Sequence, residues 1–184
     1  MRKHQKNFDH IHSQLTLPFL ATNPEFLPKI FRTLEFKLGL KKNSNQRFID
    51  LGAGEGHLVI YASLNYRIRS FGIEIDPSLI EEAYFRIKDL KVSGNFKKKL
   101  FKKIKIKMGD FYQLNLKKYD FIYIYSLPTM QKYLNHLFKS AKRGSIIISH
   151  KYPLDQFNMY LEFANKIKHQ IEDQELYTYF YLKL

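Results

Sequence analysis

Asp50-Leu51-Gly52-Ala53-Gly54-Glu55-Gly56 places three glycines two apart, between an apolar run and a helical pattern. Such a turn lets backbone amides at a helix N-terminus approach a ligand closely. In dinucleotide-binding folds the spacing is Gly-x-Gly-x-x-Gly, and the amides hold a pyrophosphate. Here the spacing is even, Asp50 precedes the glycines, and Glu55 sits among them. Carboxylates in those places repel a phosphate and suit a cation. S-adenosylmethionine carries no phosphate, and it carries both an ammonium and a sulfonium. It is therefore the expected cofactor, with Gly52, Gly54 and Gly56 beside its methionine portion and S-adenosylhomocysteine as product.

Two more acidic positions support this reading. Glu74 closes an apolar run about 20 residues beyond the loop, where a carboxylate can accept bonds from ribose hydroxyls. Asp110, in Gly109-Asp110-Phe111, follows the next run and could receive the adenine amino group, with Ile75 or Phe111 against the ring. The competing role for Asp110 is a turn or helix cap.

These residues need strand ends to stand on. Arg47 to Asp50, Arg69 to Ile75, Ile104 to Met108, Asp120 to Tyr125 and Ile146 to Ile148 read as strands. Between them, helices are expected over Glu55 to Leu64, Ser78 to Lys91 after Pro77, and Pro128 to Lys142 up to Gly144. The tail reads as a helix near Gln156 to Asn165. A hairpin of Lys166 to Ile171 and Leu176 to Leu182 follows, turning at Asp173-Gln174-Glu175. The fold class is α/β, a Rossmann-like parallel sheet covered on both faces, closed by a C-terminal antiparallel hairpin strand. One domain is expected, with residues 1–45 a helical segment packing on a core of residues 46–184.

Composition narrows the chemistry. The chain has 184 residues, 45% of them hydrophobic, which suits one globular core. No apolar run approaches the roughly 20 residues of a membrane span, so the cytoplasm is the expected compartment. Cysteine is absent, which removes thiolate metal sites and cysteine nucleophiles. His10 and His12 are the one close histidine pair, without supporting ligands, and no metal is expected. The net charge of +14 raises nucleic acid as a partner, through Lys97-Lys98-Lys99, Lys102-Lys103, Lys105 and Lys107. Aromatic residues are sparse within that run, as in a solvated edge.

With these pieces assembled, the sequence resembles the class I methyltransferases. More narrowly, it resembles the archaeal protein-lysine methyltransferases and the related ATP synthase c-subunit lysine methyltransferase group. The resemblance covers roughly Pro18 to Leu154. Its carriers are Pro18-Phe19-Leu20-Ala21-Thr22-Asn23-Pro24, the glycine loop, and Gly72-Ile73-Glu74-Ile75-Asp76-Pro77. Tyr123-Ile124-Tyr125-Ser126-Leu127-Pro128 and Ile148-Ser149-His150-Lys151-Tyr152-Pro153-Leu154 make the narrower match. Asn23 stands where the family places Thr directly before Pro, and His57 where Arg or Lys is common.

The resemblance implies that Thr22 holds the cofactor's methionine end and that Tyr125 lies beside the transferred methyl. It implies a protein substrate with an accessible lysine, met by Ser126, Leu127, Pro128 and Tyr152. An aromatic lining of Tyr123, Tyr125 and Tyr152 would favour a neutral amine by desolvation, with His150 as a candidate proton acceptor. The alternative is methylation of RNA or another nucleic acid. Pyrimidine-carbon chemistry commonly uses a cysteine nucleophile. Exocyclic-amine chemistry goes with Asp/Asn-Pro-Pro-aromatic, where this chain has Ser126-Leu127-Pro128-Thr129. A ribose-methylating Lys-Asp-Lys-Glu set needs an acid near the same strand end, and none stands there.

Overall fold

The computed structural model of the chain describes residues 21–184. The His10/His12 pair and Pro18-Phe19-Leu20 lie outside the described residues. Five short strands, β1 (Arg47–Leu51), β2 (Arg69–Glu74), β3 (Ile104–Met108), β4 (Phe121–Ile124) and β5 (Ile146–His150), run parallel. Two longer ones, β6 (Leu161–Ile171) and β7 (Gln174–Lys183), complete a seven-stranded sheet in the order β3-β2-β1-β4-β5-β7-β6. The strand order reverses between β1 and β4, which opens a crevice beyond their carboxyl ends. This is the class I methyltransferase fold.

The helices are α1 (Leu27–Lys37), α2 (His57–Tyr66), α3 (Pro77–Val92), α4 (Lys98–Phe101), α5 (Pro128–Gln131) and α6 (Asn135–Ser140). Alternation along the strands divides the core between two faces. Phe48, Tyr123 and Ile148 pack with Ile30, Phe31 and Leu34 of α1. Ile49, Ile122 and Ile147 pack with Leu137 and Phe138 of α6 on the other face. Helix α2 is buried at Leu58, Val59, Ile60, Ala62, Leu64 and Tyr66, because both the sheet and neighbouring helices cover it. Among the described residues, no helix is long and apolar enough to cross a membrane.

Three expectations need correction. The stretch Gln156 to Asn165 is not a helix: a short 3-10 turn, Asp155–Phe157, leads into β6 from Leu161. The hairpin decides this, since β7 pairs with β6 back to Leu161↔Lys183 and overrides local helix preference. The hairpin does add one strand that runs against the others: the later strand, β7, joins β5 antiparallel, and β6 beyond it runs in the direction of β1–β5, but the expected turn is misplaced. Its turn is Glu172-Asp173, with Ile171 opposite Gln174 and Glu172 at φ 48°. The expected helix from Pro128 to Lys142 is two pieces, α5 and α6. Between them Leu134 is fully buried, and its N–H bonds Gln131 O in a tighter turn.

Candidate active site

The glycine loop leaves β1 and folds back over β2: the N–H groups of Gly52 and Ala53 both donate to Ile73 O at 2.9 Å. Gly52, Gly54 and Gly56 all have positive φ, at 84°, 50° and 76°. At Gly56 the requirement is also steric. An added Cβ would lie 2.6 Å from Ile106 Cδ1 and 3.2 Å from Ala83 Cβ. Gly56→Ala is expected to cost about 1–3 kcal/mol, read from denaturant midpoints; an unchanged midpoint would contradict this packing. Gly72 on β2, which the sequence reading assigned no role, has the same constraint. Its Cβ would meet Ala53 at 2.7 Å, so the loop rests directly on β2.

Glu74 holds the loop electrostatically. Its Oε2 accepts from Gly54 N at 2.8 Å, and its Oε1 accepts from Ile75 N at 2.7 Å and Asp76 N at 3.0 Å. Of roughly four acceptor positions on a carboxylate, about one stays free, fewer than two ribose hydroxyls would use. The same contact argues about ligand type. An amide that would cradle a pyrophosphate is already taken by a carboxylate, so the loop is unsuited to phosphate.

Glu55 does not contribute to this rim. Its Oε2 pairs with Arg86 at 2.6 Å and His57 at 3.1 Å, turning it toward α3. The argument from an acidic loop therefore passes from Glu55 to Asp50 and Glu74. Asp50 is buried in β1, paired in register with Gly72 and Tyr123. Its carboxyl is held well above the usual carboxylate range, first by burial and then by the nearby Glu74 charge. It makes no hydrogen bond to a described residue. A buried anion beside a like charge is the environment that a cationic ligand relieves, so the crevice fits a phosphate-free, ammonium-bearing cofactor.

Beside Asp50, the Tyr123 hydroxyl shares a 2.7 Å hydrogen bond with Thr22 Oγ1. Asn23, which interrupts the Thr-Pro pattern, caps the Pro24–Phe26 turn by accepting from Glu25 N at 2.9 Å. That leaves Thr22 turned to the sheet. Ile75 is exposed just past Glu74, and Phe111 lies 3.9 Å from where a Cβ on Gly52 would sit. Asp110 acts as the cap it could have been: its Oδ1 accepts from Tyr112 N at 2.8 Å, starting the Phe111–Gln113 turn.

A second group gathers at the ends of β4 and β5. The Tyr125 ring meets His150 edge-on at 5.0 Å and Tyr152 at 6.4 Å. Burial raises the Tyr125 hydroxyl, while the nearby Lys151 charge lowers it. His150 is buried among Phe26, Tyr123, Tyr125 and His169, with its Nδ1 2.8 Å from Thr178 Oγ1. Burial, then His169 and Lys151, push its pKa down to about 4. It is therefore neutral and a weak base near neutrality, contrary to the expected proton acceptor.

Ser126 is buried next to Tyr125, and its Oγ has no hydrogen-bond partner among the described residues. Leu127 caps α5 and Pro128 opens it, exposed. The chain also ties the two motif loops together. Gln131 Nε2 donates to Pro153 O at 2.9 Å, and Ser149 Oγ donates to Tyr152 O at 2.6 Å. Among the described residues, no cluster of His, Asp or Glu has the makings of a metal site.

The arrangement is an acidic crevice beside an aromatic group. A family model described as the ANTKMT methyltransferase domain matches residues 50–160. The chain belongs to that family. The match to the ANTKMT methyltransferase domain runs from Asp50 to Tyr160, so it takes in the glycine loop, Glu74, Asp110 and both aromatic motifs. Its cofactor is S-adenosylmethionine.

A stretch of 69 residues, 37% of the chain, is 45% identical to a histone-lysine N-methyltransferase, H3 lysine-79 specific, of Kluyveromyces lactis. The chain spans only 11% of that protein's length. Among solved structures, an RNA methyltransferase of Salinibacter ruber in complex with S-adenosyl-L-homocysteine is 23% identical. It has a TM-score of 0.63 and coverage of 91% of this chain and 94% of that one. The B. subtilis M1A22 tRNA methyltransferase TrmK is 11% identical, with a TM-score of 0.62 and coverage of 90% and 67%. At those identities the likeness is one of fold.

Residues missed in the sequence also shape the methyltransferase site. His169 and Thr178 come from the hairpin: Thr178 Oγ1 bridges His150 Nδ1 and His169 Nε2, at 2.8 and 2.9 Å. One hydroxyl carries one proton, so it donates to at most one of the two rings and the other must present an N–H to it, which couples the two tautomers. His169 stands in the polar stretch Lys168-His169-Gln170, which signals nothing without the strand pairing.

Proposed function

We propose that the protein transfers a methyl group from S-adenosylmethionine to the side-chain amine of lysine in a protein substrate. One observation carries the choice of lysine. At the aromatic group, the chain's own Lys151 already places its ammonium 5.6 Å over the Tyr152 ring, near enough to Tyr125 for its charge to lower that hydroxyl's pKa. A surface that packs along one lysine side chain in this way suits the side chain of another, whose amine gives up its proton as it is desolvated. Lys151 has φ 67°, an uncommon conformation for a non-glycine residue, held by its N–H bond to Tyr177 O at 2.7 Å.

Asp50 and Thr22 are the residues proposed to hold the cofactor's methionine end, Glu74 one hydroxyl of its ribose through the acceptor position left free, and Asp110, Ile75 and Phe111 its adenine. When bound, S-adenosylmethionine supplies a methyl on a sulfonium, released to a nucleophile as the carbon–sulfur pair returns to sulfur. The lysine must arrive neutral. Tyr125, Tyr152 and His150 favour that form by desolvation, and the proton goes to solvent, since His150 is too weak a base to keep it. Ser126 Oγ supplies one unused polar group beside Tyr125 for orienting the amine.

The nucleic-acid alternative has less support. Its basic residues Lys102, Lys103 and Lys105 lie at the start of the edge strand β3, the opposite end of the parallel strands from Tyr125 and His150. Incubation with labelled S-adenosylmethionine and separate cellular protein and RNA fractions tests the proposal. Label is expected on lysine in the protein fraction; label in RNA alone would overturn it.

A further inference from the structure

At the amino-terminal edge of the sheet, away from the cofactor crevice, a cavity of about 550 Å³ opens. It is lined by Arg47, Arg69, Lys102, Lys103, Lys105 and Lys118, with Phe71 and Tyr119. Among the described residues, no acidic one lines it. The cations come from the starts of β1, β2 and β3 and from the segment before β4, so the fold gathers them from well-separated parts of the sequence. None of the six forms an ion pair among the described residues. Asp120, the acid just beyond Tyr119, is spent: it accepts from Arg47 N at 2.7 Å and pairs with Lys142 at 2.5 Å.

Converging six like charges without a counter-charge opposes folding, and an anion in the cavity removes that opposition. We propose that this cavity binds a nucleotide carrying a compact polyphosphate. Two features favour such a ligand over a nucleic-acid strand. The cations converge on one concavity, of the size that small ligands occupy, rather than following an extended groove. Phe71 and Tyr119, packed edge-to-face at 5.4 Å, add ring surface that a base can contact while the lysines and arginines take the phosphates. The site stands apart from Asp50, Tyr125 and their neighbours, so it does not depend on the identity of the methyl acceptor.

Calorimetry and thermal melting with ATP, inorganic tripolyphosphate, adenosine and a single-stranded RNA oligomer test the proposal. ATP is expected to bind and raise the melting temperature, tripolyphosphate to bind more weakly, and adenosine alone to have no effect. The double variant Arg69→Glu/Lys118→Glu should lose at least roughly tenfold in ATP affinity. Lys98→Glu/Lys99→Glu, with the same charge change outside the cavity, should keep it. Without ligand, the cavity variant should melt no lower than the wild type, because repulsion is relieved; this also reports that it folds. Equal losses in both variants, or no ATP binding by the wild type, would overturn the site. Tighter binding of RNA than of ATP would overturn the compact ligand.

Discussion

Replacing Asp50 with asparagine is expected to stabilise the ligand-free protein while weakening S-adenosylmethionine binding roughly ten- to a hundredfold. Both effects have one cause. Asp50 is buried in β1, makes no hydrogen bond to a described residue, and faces the Glu74 charge. Ionising it there costs free energy that water would otherwise supply, so its folded pKa lies above its unfolded one. The contribution to stability is therefore unfavourable above the ordinary carboxylate range. It grows as pH rises through the window between the unfolded and folded values, then levels off. Asparagine removes the charge, and a gain of about 1–3 kcal/mol is expected, with loss of that pH slope. Thermal melts across pH, paired with calorimetry, check it. A variant that melts lower and binds the cofactor normally would show that Asp50 is structural and lies outside the binding site.

Glu74→Gln should have the opposite effect on stability, though it lies in the same crevice. Its two oxygens accept from Gly54, Ile75 and Asp76 N–H groups. An amide has one oxygen, and its NH₂ group would face donors with a donor. At least one buried N–H loses its partner, at about 1–3 kcal/mol, and the glycine loop loses its attachment to β2. Cofactor affinity should fall with it. Denaturant unfolding and calorimetry would show a lower midpoint together with weak binding. A midpoint at or above that of the wild type would contradict the bonding of the loop to this carboxylate. The opposed signs at Asp50 and Glu74 separate a carboxylate reserved for ligand from one that builds the site.

The candidate site was legible in the sequence where acidic residues coincide with strand ends. Asp50, Glu74 and Asp110 close β1 and β2 or follow β3, and the apolar runs that locate those strands are short, buried and bounded by turns. The Rossmann-like class puts ligands at the carboxyl ends of the strands, so that end was legible in the sequence, while the reversal between β1 and β4 came only with the strand order. Side-chain direction was not legible either. Glu55 sits in the loop as the spacing suggested, but Arg86, 31 residues on, draws it away. Asp110 caps its own turn, a local bond that competes with any ligand contact.

The C-terminal hairpin was read in part, and the reason is physical. Gln156 to Asn165 has helix-compatible composition, while its partner residues lie about 20 positions later, where only tertiary pairing acts. His169 and Thr178 enter the site by that pairing, which is why His150 looked like an available base. In the structure it is a neutral ring with a pKa near 4, bonded to Thr178.

The central claim is that Asp50 is the seat of the cofactor's ammonium. The direct measurement is the number of protons released when S-adenosylmethionine binds in mildly acidic solution, from calorimetry in buffers of differing ionisation enthalpy. A carboxyl with a raised pKa must give up its proton to pair with a cation, so the wild type is predicted to release protons. Asp50→Asn is predicted to release none. Binding by the wild type without proton release, or equal release from the variant, would contradict the account.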